Sequence, residues 1–329
     1  MKRGIAVLCL GALAFAGSAH AELAGTLRKI HDRGVVNVGY REQSLPFSFV
    51  APGSATAGMR RPVGFAIALC ERVVEALALE LDRPGLRIAY VPVNSENRFD
   101  RMRDGAIDIE CGSTTNTRAR RKQVDFSVTF FIARVRMLVR RDSGVKDYAD
   151  LAGRKIAVSA GTTAEELLRS ESPFGIRVKR SKPGPNAAKG KDPCTAAPSG
   201  TTAPSELKSV VDHKEGLRLV ESGEACAFIL DDVLLAGLAA QSRDQSLFSI
   251  VGEALSEERY GLMLPRGDAP FKTFVDRTLI GLMKSGEAEK LYRRWFVQGI
   301  SPGGPNLNLP MSPELRRLFD MPTDNEREP

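Results

Sequence analysis

The sequence predicts an α/β protein built as two lobes with a cleft between them. Three observations carry that prediction. Strand-like and helix-like stretches alternate from residue 35 onward, the alternation restarts near residue 134, and 329 residues are enough chain for two domains.

Lys2 and Arg3 precede an apolar stretch over 5–16, and Ala19-His20-Ala21 supplies a small-x-small cleavage site. The apolar run is shorter than the roughly 20 residues that a bilayer-spanning helix needs. Cys9 lies inside it, where lipid attachment would leave no signal upstream. Residues 1–21 are therefore expected to be a cleaved export signal, releasing a mature chain that starts at Glu22 into the periplasm.

Val35-Val36-Asn37-Val38-Gly39-Tyr40 is a β-rich run. Ile67, Cys70, Val74, Leu77 and Leu81 recur at three- and four-residue spacing, which predicts an amphipathic helix. A strand over 86–93, a short helix over 98–104 and a strand over 106–111 follow. This βαβαβ order predicts a parallel sheet flanked by helices. The second unit has strands over 135–139, 155–158 and 225–230, with helices over 163–169, over 215–222 and from Val233. A last strand over 260–264 precedes helices over 270–284 and 286–296. One unit thus interrupts the other: 22–133 and 259–300 form the first lobe, and 134–258 the second. Residues 179–204, rich in Lys, Pro, Gly, Ser, Ala and Thr, cannot bury a core and are expected to be a surface insertion. The tail over 301–329 is expected to pack only in part.

Composition excludes some functions. A net charge of +7 would suit a nucleic-acid partner, but export and the even spread of basic residues argue against one and favour a small anionic ligand. Cys70, Cys111, Cys194 and Cys226 fit no zinc motif. In an oxidising compartment they allow two disulfides in three connectivities, or buried thiols at Cys70 and Cys226. Histidine occurs only at His20, His31 and His213, and the chain has no HExxH helix, GxSxG elbow or phosphate-binding Gly-rich loop. No catalytic residue, cofactor or metal is expected.

Ligands of open parallel sheets sit at the carboxyl ends of strands. There the sequence places hydroxyls and arginines. Ser113, Thr115, Arg118 and Arg120 follow one strand; Arg41 and the pair Ser95 and Arg98 follow two others. Hydroxyls and an arginine fork suit a carboxylate. Thr162 and Glu165 match a capping box, and the helix start at Thr163 offers free N–H groups. Asp231 ends an apolar strand, where it could pair with an ammonium or cap the helix from Val233.

Residues 40–48, Asn94-Ser95-Glu96-Asn97-Arg98, 110–116, Gly161-Thr162-Thr163 and 222–232 together resemble the periplasmic glutamate/aspartate-binding proteins of ABC importers, in amino-acid solute-binding protein family 3. Residues 285–290 and Trp295-Phe296 match as well. The likeness runs in order through nearly the whole mature chain, apart from the insertion. It implies a type II periplasmic-binding-protein fold, two α/β lobes joined by a two-strand hinge. It also implies roles. Arg120, with Ser113, Thr115 and Thr163, clamps the ligand α-carboxylate, and Asp231 holds the α-ammonium. Arg41, Ser95, Arg98 and His213 surround the side-chain carboxylate. The implied protein is a monomer that delivers glutamate or aspartate to an inner-membrane permease. The competing expectations are a periplasmic enzyme on the same fold, of the cyclohexadienyl dehydratase kind, and a sensory domain.

Overall fold

Two sheets organise the chain in a computed structural model that describes residues 23–51, 55–56, 59–170, 178–179, 194, 204–299 and 306–324. The expected export signal and most of the insertion lie outside the described residues. Among them, no helix is long and apolar enough to cross a membrane.

The first sheet runs Arg87–Pro92, Val35–Tyr40, Ile109–Cys111, Met263–Leu264, Asp125–Phe126. Its first three strands are parallel, and Met263–Leu264 is antiparallel to both neighbours. The second sheet runs Val178–Lys179, Ser205–Val210, Lys155–Ser159, Ala227–Asp231, Phe131–Arg140, Phe248–Val251. Phe131–Arg140 is antiparallel to both neighbours. The expectation of parallel sheets therefore holds for the crossover-connected strands only. The strands by which the chain enters and leaves a sheet run against the rest, giving two mixed sheets.

The chain passes to the second sheet along Phe131–Arg140 and returns along Glu257–Tyr260. These two strands pair antiparallel, with Tyr260 opposite Phe131 and Glu257 opposite Arg134. The strand expected over 260–264 is accordingly two pieces, one in this pair and one in the first sheet. Phe47 packs edge-on against Phe131 and Tyr260 at ring distances of 4.8 and 5.1 Å, and Tyr292 stacks on Phe296 at 4.2 Å. This aromatic cluster anchors the passage in the main core.

Helix Phe65–Glu80 forms as its periodicity predicts, burying Ile67, Cys70, Val74 and Leu77 against the first sheet. The cysteines are paired as Cys70–Cys111 and Cys194–Cys226. The first bond ties this helix to strand Ile109–Cys111, and the second ties Cys194 to the second sheet. That strand is shorter than expected because Asp108 turns away, accepting from the Asn37 N–H at 2.7 Å and pairing with Lys29 at 3.1 Å and with Arg33. The tail contains helix Pro313–Asp320, which buries Leu315, Leu318 and Phe319.

Candidate functional site

Between the sheets lies a cavity of about 10 Å³, the room of a single water. It is lined by Arg41, Ser95, Arg98, Ser113, Thr115, Arg120, Thr163, His213 and Asp231, the nine residues expected from the sequence, with Thr162, Leu230 and Leu234. Every one of the nine follows or ends a parallel strand on the side where the sheets meet. Each is buried, although five of them are charged or ionisable side chains.

At one end Arg41 donates to the Ser95 hydroxyl at 2.7 Å and lies 3.4 Å from His213 Nε2. His213 Nδ1 is 2.7 Å from the Ser159 hydroxyl. Burial, and then the positive charges of Arg41 and Arg98, push the His213 pKa well down, so the ring is neutral. A neutral ring facing an arginine accepts at Nε2, which assigns its proton to Nδ1 and makes Ser159 the acceptor. Arg98 is 2% exposed, and its Nε has no hydrogen-bond partner. Burial followed by the nearness of Arg120 and Arg41 lowers its pKa. Three guanidiniums are thus held close together out of water.

Arg98 and Arg120 both donate to the Gly161 carbonyl, at 3.3 and 3.4 Å. Arg120 also donates to the Thr115 carbonyl at 3.1 Å. Gly161 has φ +69°, and a Cβ there would stand 2.7 Å from the Ser95 carbonyl oxygen. Only glycine permits this approach of the two loops. Thr162 caps helix Thr163–Arg169 by accepting from the Glu165 N–H, but Glu165 reaches back to Gly161 N–H at 2.9 Å instead of Thr162. The expected capping box is therefore extended by one residue.

Asp231 occupies the N-cap position of helix Asp232–Gln241 yet makes no side-chain cap. Asp232 takes that work, accepting from the Val233 N–H at 2.7 Å. The Asp231 carboxylate faces the cavity and accepts from the Tyr260 hydroxyl. Burial, then the Glu258 charge, push its pKa up to about 8, against the opposing Tyr260 hydrogen bond. Thr163 donates to Glu258 at 2.8 Å.

Sequence reasoning missed Tyr260, Glu258 and the apolar wall of Leu230 and Leu234. Nothing local distinguishes the two leucines from core. Tyr260 and Glu258 carried a usable signal: both sit on the returning strand, two residues apart and so on one face. Buried Glu110, whose Oε2 accepts from Thr114 at 2.8 Å, also lies beside the arginines as an acid in an apolar strand. Among the described residues no group of His, Cys, Asp and Glu could hold a metal.

Two α/β sheets closed over buried charges of both signs define a bilobed binding-protein architecture. A solved mutant of ArgBP from T. maritima has this fold, with a TM-score of 0.65 and 23% identity over 83% of this chain and all of that one. The chain belongs to the bacterial extracellular solute-binding proteins, family 3, whose model matches residues 36–298. It is 38% identical to the L-glutamate/L-aspartate-binding protein of Pseudomonas aeruginosa, across 93% of this chain and 91% of that protein. It is 36% identical to a glutamate/aspartate import solute-binding protein of Salmonella typhimurium, across 94% and 93%. Both relatives are named for binding, not for a reaction.

Proposed function

We propose that this protein is a periplasmic receptor that captures glutamate or aspartate between its lobes and delivers it to an ABC permease. The carrying observation is a set of buried charges that the protein does not pair directly: Arg41, Arg98 and Arg120 gather around Glu110 and Asp231, leaving cations in excess. Among the described residues, Arg41 and Arg98 form no ion pair with a carboxylate, and Asp231 meets no Lys or Arg. Leaving such groups dry and unpaired is costly. An α-amino acid with a carboxylate side chain supplies an anion for Arg120, a cation for Asp231 and a second anion for Arg41 and Arg98. The names of the two relatives support the same ligand.

The lobes in this reading are 22–133 with 259–300, and 134–258, hinged at the paired strands Phe131–Arg140 and Glu257–Tyr260. The cavity holds about one water, so the lobes must part to admit an amino acid and close again around it. Residues 1–21 direct export and are removed, and the closed monomer docks on the permease.

Substitution separates the two ends of the ligand. Arg120→Ala should weaken every α-amino acid alike. Arg98→Ala or Arg41→Ala should cost glutamate about 2–5 kcal/mol and glutamine far less, because only the acid brings a charge to those arginines. Calorimetric titration of the three variants checks this, and equal losses for glutamate and glutamine in Arg98→Ala contradict the assignment.

A further inference from the structure

The strand Glu257–Tyr260 places two side chains under one end of the cavity. Glu258 and Tyr260 point to the same face, while Glu257 and Arg259 pair with each other at 2.9 Å on the opposite face. Tyr260 donates to Asp231. Glu258 is 2% exposed, accepts from Thr163 Oγ1 at 2.8 Å through one oxygen and from the Ser256 hydroxyl through the other, and has no ion pair among the described residues. A buried carboxylate held only by hydroxyls is short of a cation, and here it lies close enough to Asp231 to push that group's pKa up.

The hydroxyl hydrogen of Thr163 has one place to go. Thr163 Oγ1 donates to Glu258 Oε2 at 2.8 Å, and Ser256 donates to the other oxygen, so the contact spends that hydrogen on Glu258. The Thr163 oxygen, which lines the cavity, is left with lone pairs to present. It can then accept from a ligand and cannot donate to a ligand carboxylate. The expected part of Thr163 in the α-carboxylate clamp is therefore left to its backbone.

We infer that Glu258 is a positioning residue for the ammonium end of the cleft: by taking the Thr163 hydrogen it turns that oxygen into an acceptor, and with Asp231 it makes this end select a cation on the α-carbon. The inference rests on the amino-acid reading above but not on which amino acid is bound. Its position on the returning strand also means that the strand joining the lobes helps to set chemical selectivity.

The test compares L-glutamate with glutarate, the same dicarboxylate without its ammonium, in wild type, Glu258→Gln and Thr163→Val. Calorimetry reads glutamate, and the thermal shift at millimolar ligand reads glutarate. Glu258→Gln keeps the shape and removes the charge. It should weaken glutamate about tenfold while glutarate stays within about threefold, so the preference for the ammonium form narrows. Thr163→Val removes the acceptor and leaves Glu258 with Ser256, so it should narrow the preference in the same way even if Glu258→Gln fails to fold. Equal losses for both ligands in either folded variant overturn the inference, since a purely structural residue would weaken both. Wild-type protein that ignores glutamate and aspartate overturns the glutamate reading alone. The amino acid that does bind, set against its deaminated analogue, then puts the same question to Glu258.

Discussion

Asp231 is a carboxylate held dry by its own fold. Burial is the largest cause of its raised pKa, about 8 against 3.8 for the free side chain, and Glu258 adds to it. The sign follows from linkage. A folded-state pKa above the unfolded one means that stability is full below about pH 4 and is lost progressively as pH rises toward 8. Asp231→Asn removes that loss. The ligand-free variant should melt about 2–5 °C higher than wild type at pH 8, with a smaller gain at pH 5, while binding no amino acid. Thermal scans at the two pH values check this, and a variant less stable than wild type at pH 8 would contradict it. On the proposed assignment a ligand ammonium reverses the same balance, which would make Asp231 costly in an empty cleft and useful in a filled one. The position of Asp231 was legible in the sequence because a polar residue ending an apolar strand has few places to point. Its partners Tyr260 and Glu258 were legible only in part: their spacing puts them on one face of a strand 27 to 29 residues later, but which way that face points depends on how the chain crosses between the sheets.

At the scale of elements, helices with a clear apolar period were legible, and helix Thr163–Arg169 forms over the residues the sequence indicates. The short strands were less so, since two-residue pieces such as Met263–Leu264 exist only through their neighbours. The tail helix Pro313–Asp320 was overlooked behind a Pro- and Asn-rich approach. Its signals were present: Ser312 accepts from the Leu315 N–H as N-cap, Pro313 occupies the first turn, and Leu315, Leu318 and Phe319 share a face. This segment also holds the passage between sheets. Glu314 pairs with Arg134 at 2.7 Å, the Thr129 N–H donates to the Thr323 carbonyl at 2.9 Å, and Asp324 pairs with Lys272 at 3.0 Å. Truncation after residue 311 removes three buried apolar side chains and exposes the surface they cover. It should lower unfolding stability by about 3–6 kcal/mol, measured in urea, and a loss below about 1 kcal/mol would show that the helix is dispensable.

For the whole molecule, what was legible is the alternation of strands and helices and the charge type of each strand-end loop. What was not legible is how closely the loops meet. The Gly161 loop touches the Ser95 loop, and Gln43 reaches across to the Asp212 carboxylate and to the Lys214 N–H at 3.2 Å. Those contacts form between sheets and leave no local pattern. Gly161→Ala adds a methyl facing the Ser95 carbonyl at 2.7 Å on a residue with φ +69°. Closure should suffer most, so glutamate binding should fall about tenfold or more, at a cost of about 1 kcal/mol to the ligand-free fold. Calorimetry and thermal unfolding of the same preparation separate the two effects; unchanged affinity would show that the loops need not meet.

On the proposed reading, Arg41 and Arg98, buried without a direct ion pair, are matched by a ligand carrying two carboxylates and one ammonium. The most direct measurement is calorimetric titration of the wild-type protein with glutamate, aspartate, glutamine and asparagine under one buffer and ionic strength. The acids should bind tighter than their amides by about 2–5 kcal/mol, because an amide brings no carboxylate to pair with buried Arg41 and Arg98. Equal affinity for glutamate and glutamine would contradict it and show that these two arginines do not face the ligand side chain.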